Sequence, residues 1–154
     1  MRRFRLRGLP AAQFNHLFSM SDDELERHGA RRMVATDGGY PCRISLTDAR
    51  PGDAVILVNH QHHRTDSPFR SNFALYVREG ETQFDAIDEV PEQLRKRLLS
   101  LRGYDEHGML RAAEIVDGRE LEAGLDAMLV SDAVAYVHLH FAKPGCYAAL
   151  VERV

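Results

Sequence analysis

Two histidines near the C-terminus have a spacing that could place them side by side. His138 and His140 are separated by one residue in an apolar run. Because the side chains of a β-strand alternate between its faces, a strand here would point both imidazoles the same way, opposite to Val137, Leu139 and Phe141. Imidazole is a common metal ligand and titrates near neutrality. The pair could therefore bind a metal, act as acid or base, or line a solvent-exposed face.

A second group of histidines follows an apolar, β-branched run that begins at Ala54. This run predicts a central strand, and His60, His62 and His63 lie where the strand should give way to a polar loop. The end of a strand is a common place for ligand-binding groups and equally for ordinary solvated residues. His60 and His62 are accordingly candidate ligand-binding residues.

The chain has two cysteines, and the first lies in a segment that predicts a loop. Two glycines and a proline precede or adjoin Cys42, and Arg43 follows it. A neighbouring positive charge favours the thiolate, so Cys42 is the predicted nucleophile, with His138 or His140 as its base. The alternative is that Cys42 is a small buried hydrophobic residue, as most free cysteines are.

The second cysteine follows a predicted hairpin turn, whose length decides which way the thiol points. A two-residue turn at Pro144 and Gly145 places Cys146 on the same face as Phe141, whereas a three-residue loop moves it to the face of the histidines. Turn propensity favours the first arrangement, and a β-bulge could restore the second. Only the second would bring Cys146 to the histidine pair as a metal ligand.

Arginines near predicted strand ends could clamp an anion. A guanidinium group matches a carboxylate or phosphate in one plane. No glycine-rich phosphate loop, dinucleotide fingerprint or paired-cysteine motif is present, so no cofactor is indicated and no metal is assigned. Solvated or structurally paired arginines are the alternative. The predicted ligand-binding residues are Arg43, Arg70, Arg102, His60, His62 and Tyr104.

Composition restricts the classes of protein to which the chain could belong. At 154 residues with 44% hydrophobic and 28% charged residues, it predicts a single globular domain over 1–154. The first residues lack the apolar run of a signal peptide, and no stretch could span a membrane, so we expect a soluble cytoplasmic protein with reduced thiols. A net charge of −3 argues against nucleic-acid binding, although arginines cluster at 2–7 and 95–97.

The order of the predicted elements favours an α+β fold. Strands follow one another as hairpins, for example around Asp105-Glu106-His107-Gly108, and do not alternate regularly with helices. We expect a mainly antiparallel or mixed curved sheet, or a small barrel, with three to four short helices. Residues 3–7 read as an edge strand with a basic outer face. The helix after Asp117 has the clearest amphipathic pattern, and helices are also expected after Pro10, Ser21 and Pro91.

Several unusual segments occur together along the chain. These segments are Gly39-Tyr40-Pro41-Cys42-Arg43, Leu46, Asp48-Ala49, Gly52-Asp53, Ser67-Pro68-Phe69, Leu101-Arg102-Gly103-Tyr104-Asp105, His138-Leu139-His140 and Gly145-Cys146. In this order they resemble the uncharacterised bacterial family called domain of unknown function 1203 (DUF1203), over essentially the whole chain. The resemblance implies a stand-alone bacterial cytoplasmic domain and brings no activity, substrate or cofactor.

Residue chemistry therefore leads to two hypotheses. The first is a site for a small anionic molecule, with or without catalysis, between the Cys42 loop and the His138/His140 strand. The second is a noncatalytic binding or regulatory module in which the cysteine does no chemistry. An edge strand at either terminus is compatible with a two-fold homodimer.

Overall fold

A computed structural model describes the whole chain, Met1–Val154, and is built on nine strands. These are β1 (Phe4–Arg7), β2 (Ala30–Val34), β3 (Ala54–His63), β4 (Ser71–Val77), β5 (Asp85–Ile87), β6 (Leu98–Tyr104), β7 (Leu110–Asp117), β8 (Tyr136–Phe141) and β9 (Tyr147–Arg153). They form a six-stranded sheet in the order β5-β1-β9-β8-β6-β7 and a three-stranded sheet in the order β2-β3-β4. All pairings between these strands are antiparallel.

The helices are short. They are α1 (Asp22–Arg27), α2 (Glu92–Arg95) and α3 (Leu121–Leu129), with 3-10 turns at Ala11–Gln13, Asn15–Leu17 and Gly118–Glu120. The side chain of Ser21 accepts a hydrogen bond from the backbone N–H of Glu24 at 3.2 Å, which caps α1 as the sequence predicts. None of the helices is long and apolar enough to cross a membrane.

The main hydrophobic core lies between one face of the large sheet and helices α2 and α3. Leu121, Leu125 and Leu129 of α3 are almost fully buried and belong to the same cluster as Leu101 and Leu139 of the sheet. Burial of a leucine side chain contributes roughly 1.5–3 kcal/mol, so this helix docks through its amphipathic face. The face of β8 that carries Val137, Leu139 and Phe141 is therefore the helix side of the sheet.

The second core brings the small sheet against the opposite side of the large one. Ile56 and Val58 of β3 pack in one cluster with Leu75 and Val77 of β4 and with Tyr147 of β9. The 3-10 turns near the N-terminus cover this cluster with Phe14 and Leu17. The histidine face of β8 is consequently covered by protein and not by solvent.

The α+β prediction is confirmed, with three corrections. Neither sheet closes into a barrel. Strand β1 is not an edge, because β5, a three-residue strand without a clear sequence pattern, pairs along its other side. Finally, β3 continues through His63, so the histidines that were expected at the start of a loop belong to the strand.

Candidate functional site

The C-terminal hairpin of β8 and β9 has different chemistry on its two faces. On one face the rings of His138 and His140 lie 5.1 Å and 5.8 Å from the ring of Tyr147. On the other face Phe141 and Cys146 pack in the main core and line a surface cavity. Cys146, which immediately precedes β9, and Tyr147, the first residue of β9, thus contribute to two separate environments.

The turn of this hairpin explains the direction of the thiol. The N–H of Gly145 donates to the carbonyl of Phe141 at 2.8 Å, and the N–H of Phe141 donates to the carbonyl of Cys146 at 2.9 Å. Gly145 has φ 86°, a left-handed conformation that glycine adopts without strain. His140 pairs with Tyr147, so the turn is longer than either predicted loop, which would have paired Ala142 or Phe141 with Tyr147. Cys146 nevertheless lies on the Phe141 face, as the two-residue turn predicts, and does not join the histidines. No group of three or more His, Cys, Asp or Glu side chains could hold a metal ion.

Four histidines from the two sheets form a buried cluster, which we call the histidine cluster: His62, His63, His138 and His140. Ring centroids are 5.1 Å apart for His62 and His140 and 4.9 Å apart for His63 and His138. An irregular register between Gln61 and His63 allows the consecutive side chains of His62 and His63 to reach this cluster. The alternation rule alone would have placed them on opposite faces.

Tyrosines extend the histidine cluster toward one end. The ring of Tyr104 lies 4.1 Å from that of His63. The Nδ1 atom of His63 lies 2.9 Å from the carbonyl of Phe69, and its Nε2 atom lies 2.7 Å from the hydroxyl of Tyr136. Because a carbonyl can only accept, Nδ1 carries the proton and Nε2 accepts from the tyrosine. Both ring nitrogens of His63 therefore have hydrogen-bond partners.

Burial keeps His62, His138 and His140 uncharged. Desolvation lowers the pKa of His62 to about 4 and that of His140 to about 3, and it lowers the pKa of His138 still more. Neighbouring imidazoles and the charge of Arg102 act in the same direction. At neutral pH these side chains are neutral rings and weak bases.

Three fully buried imidazole nitrogens in the cluster have no hydrogen-bond partner: Nδ1 of His62, Nδ1 of His138 and Nε2 of His140. His140 donates from Nδ1 to the carbonyl of Gly145 at 3.0 Å, so its Nε2 is left as an unpaired acceptor. An unsatisfied buried polar group costs about 1–3 kcal/mol. The cluster is therefore held by ring packing, with only part of its hydrogen bonding satisfied.

The opposite face of the hairpin borders a cavity of about 540 Å³, which we call the cationic cavity. Its walls come from the loop before β3, from β4, from the end of α2 and from the hairpin turn. Aromatic and apolar side chains line it, with the thiol of Cys146 among them. Its positively charged lining residues are Arg43, Lys96, Arg97 and Lys143, and no carboxylate or imidazole lines it.

Arg43 is the most unusual residue of this cavity because it is only 1% exposed and contacts no carboxylate. Its Nε atom donates to the carbonyl of Tyr147 at 2.8 Å, and its Nη1 atom donates to the carbonyl of Pro41. Its Nη2 atom lies 2.9 Å from the sulfur of Cys146. Burial lowers the pKa of Arg43, an effect that Cys146 opposes and Arg97 reinforces. A guanidinium has five N–H donors, so two remain without a protein acceptor.

The other cations of the cavity are only partly neutralised. Asp48, which does not line the cavity, lies 2.6 Å from Lys96 and 3.1 Å from Arg97. The guanidinium carbons of Arg43 and Arg97 lie 4.8 Å and 5.1 Å from the centre of the Phe141 ring. Lys96 and Arg97 thus share one carboxylate, and Arg43 and Lys143 have none. An added anion would relieve their mutual repulsion.

The structure divides the sequence-predicted site residues between several places. His62, His138, His140 and Tyr104 meet in the histidine cluster, and Arg102 lies on the same sheet face, opposite His138 across the β6–β8 pair. Arg43 alone lines the cationic cavity. The other predicted residues lie outside both sites. Cys42 is fully buried among apolar side chains, His60 packs on Phe14, and Arg70 is exposed immediately before β4.

Sequence reasoning did not assign Lys96, Arg97 and Lys143 to a common ligand site. Their meeting depends on contacts between distant parts of the chain, which no local pattern contains. The face of Cys146 could have been predicted, because the preferred two-residue turn and the longer observed turn both put it on the face of Phe141. The side chain of Phe141 then lies against both arginines of the cavity.

Comparison with known proteins gives the chain a family. No curated protein and no solved structure matches the sequence. One family profile does match, and the match covers residues 39–153, which include the loop of Arg43, the histidine strands and the C-terminal hairpin. The chain therefore belongs to the family described as Protein of unknown function (DUF1203).

Proposed function

We propose that this protein binds a small anionic molecule in the cationic cavity. The observation that carries the proposal is the buried guanidinium of Arg43, which has no carboxylate partner and two unused donors. A buried charge is strongly disfavoured unless it is paired and hydrogen-bonded. A ligand carboxylate, phosphate or sulfonate would supply the missing negative charge.

The surroundings of Arg43 indicate what else the ligand contains. A volume of about 540 Å³ is within the usual range for small-molecule sites. Phe73, Tyr76 and Phe141 give the cavity aromatic walls. We therefore expect an anionic group attached to an apolar or aromatic body, with the anion at Arg43 and Arg97 and the body against these rings.

Anilinonaphthalenesulfonate is a suitable probe because it joins a sulfonate to aromatic rings and fluoresces when it leaves water. We expect saturable binding at a single site. Lys143→Glu reverses a charge at the cavity without removing a salt bridge, and it should weaken binding about 5–10-fold, roughly 1 kcal/mol. The measurement is a fluorescence titration at low ionic strength.

The matched control is Arg64→Glu, which makes the same change of charge at an exposed position outside the cationic cavity. It should leave the affinity within about two-fold of the wild type, because a distant exposed charge is screened. Equal loss in both variants would mean that only net charge matters. Equal affinity in wild type and Lys143→Glu would overturn the proposal.

The ion pairs of the N-terminal arginines favour the binding of a small anion over the binding of nucleic acid. All four arginines already have acidic partners: Arg2 pairs with Asp126, Arg3 with Asp88, Arg5 with Asp85 and Arg7 with Glu152. Binding to a phosphate backbone would have to break these pairs. We therefore expect no binding to duplex DNA of the kind that weakens steeply as the salt concentration rises. A filter-binding or fluorescence-polarisation assay over a range of salt concentrations would measure this.

A further inference from the structure

We propose that Cys146 is a nucleophile that exchanges with anionic low-molecular-weight disulfides entering the cationic cavity. The inference rests on the proposed function, since the cations that would hold a ligand are also those that would select the reactant. It assigns the thiol chemistry to Cys146, which lines the cavity, and not to Cys42, which is completely buried.

The position of Arg43 favours reaction at this sulfur. Its Nη2 atom lies 2.9 Å from Sγ of Cys146, so an anionic sulfur would receive a charge-assisted hydrogen bond. The two unused donors of the same guanidinium remain free for the reactant. Cys146 as a whole residue is 6% exposed, and the cavity is the space from which a small molecule would reach its thiol.

The composition of the lining limits the reaction class. Neither a carboxylate nor an imidazole lines the cavity, and the histidine cluster lies on the other face of the hairpin. Hydrolysis and acyl transfer commonly need a general acid or base beside the nucleophile. Thiol–disulfide exchange does not, because its leaving group departs as a thiolate. The lysines and arginines of the cavity would stabilise that thiolate.

The first exchange step needs only the thiol of Cys146 and the bound disulfide. The thiol of Cys146 loses its proton to water, and its sulfur attacks one sulfur of the bound disulfide. A new S–S bond forms, the original S–S bond breaks, and its electron pair leaves with the departing thiolate. No second cysteine lines the cavity, so a low-molecular-weight thiol from solution must complete the cycle. It attacks the other sulfur of the mixed disulfide, and Cys146 leaves as a thiolate. The expected reactant is a disulfide that carries carboxylates.

Two disulfide probes of opposite character test this inference. Dithiobis(nitrobenzoate) carries two carboxylates, whereas dithiodipyridine is neutral, and each rate is divided by the rate with free cysteine at the same pH. We expect the normalised rate to be about ten-fold higher for the anionic probe, as attraction of about 1.4 kcal/mol would give. Lys143→Glu should reduce the ratio, and Arg64→Glu should not. Peptide mapping should locate the single reducible adduct on Cys146, and Cys146→Ser should abolish it.

Equal normalised rates for the two probes, or first modification at Cys42, would overturn the inference. Its failure can be told from failure of the proposed function. If anilinonaphthalenesulfonate binds and Lys143→Glu weakens that binding while the probe rates stay equal, the anion site stands and the thiol chemistry falls. If the dye does not bind and the rates are equal, both fall.

Discussion

The two faces of the β8–β9 hairpin treat buried polar groups in opposite ways. On the histidine face, desolvation holds His62, His138 and His140 neutral and leaves one nitrogen of each without a partner. On the cavity face, Arg43 is just as buried, yet three acceptors surround its guanidinium. Burial therefore does not decide the charge of a side chain by itself; the available acceptors and its intrinsic pKa decide with it.

This difference suggests a division of roles. The histidine cluster joins the two sheets by ring packing and gains nothing from being charged, which fits a structural contact. The cationic cavity contains charges that the fold does not neutralise, since Lys143 makes no salt bridge and Asp48 is shared. Substitutions in the histidine cluster should alter the free energy of unfolding. Substitutions at the rim of the cationic cavity should alter ligand binding.

The largest expected effect is the pH dependence of stability. The folded-state pKa values of His62, His138 and His140 lie below the ordinary value of 6.5, so the unfolded chain takes up protons first as the pH falls. The neutral rings therefore contribute their full stabilisation above pH 6.5, and this stabilisation is lost progressively as the pH falls toward 4 and below. His138 and His140 should each cost about 1.5 kcal/mol between pH 6.5 and about pH 5, and half-buried His62 should cost less, which gives roughly 4 kcal/mol together.

Urea unfolding across this pH range gives the measurement. The variant His138→Phe provides the control, because it removes one titrating ring and should reduce the pH dependence of the unfolding free energy by about 1.5 kcal/mol. A free energy of unfolding that stays constant from neutral pH to about pH 5 would show that the cluster is hydrated, contrary to the burial of its rings.

Much of the architecture was readable from sequence because it depends on local patterns. The hairpin of β6 and β7, the amphipathic helix α3 and the central strand β3 all follow from periodicity and turn chemistry. Strand β5 was not readable, since three residues are too few for a pattern. The segment after Pro10 forms 3-10 turns where a helix was expected.

The site was only half readable for a different physical reason. Alternation put His138 and His140 on one face, and the structure agrees. That this face is buried depends on β3, which comes from the other sheet, and on the register irregularity that turns both His62 and His63 inward. Packing between sheets and local bulges have no short-range signal. Cys42 had the charged neighbour that suggested reactivity, but its side chain points into an apolar core.

A pair of substitutions at His138 tests the histidine face more directly. His138→Asp introduces a carboxylate among uncharged rings and should cost about 4 kcal/mol of unfolding free energy. His138→Phe keeps a ring of similar shape and removes an unpaired nitrogen, so it should cost less than about 1 kcal/mol. Chemical denaturation of both variants measures the difference. If the phenylalanine variant were the less stable of the two, the imidazole must have a partner.

Arginine substitutions make the corresponding test on the cavity face. Arg43→Met leaves the carbonyls of Pro41 and Tyr147 without their donor and should destabilise the fold by about 3 kcal/mol. Arg97→Met is the matched variant, because Lys96 remains to pair with Asp48, and it should cost about 1 kcal/mol. Equal losses in thermal unfolding would contradict the structural difference between the two guanidinium groups.

The smallest expected effect on stability is also the most informative about function. Lys143 is exposed at the hairpin turn and makes no salt bridge, so Lys143→Gln should change the free energy of unfolding by less than about 0.5 kcal/mol. The same substitution removes one of four cations from the cavity and should lower affinity for anilinonaphthalenesulfonate by a few fold, about 0.5 kcal/mol. Measured together on one preparation, the two quantities separate a cation that the fold needs from one that only a ligand needs. A loss of stability above about 1 kcal/mol with unchanged affinity would assign Lys143 to the fold and not to the ligand site.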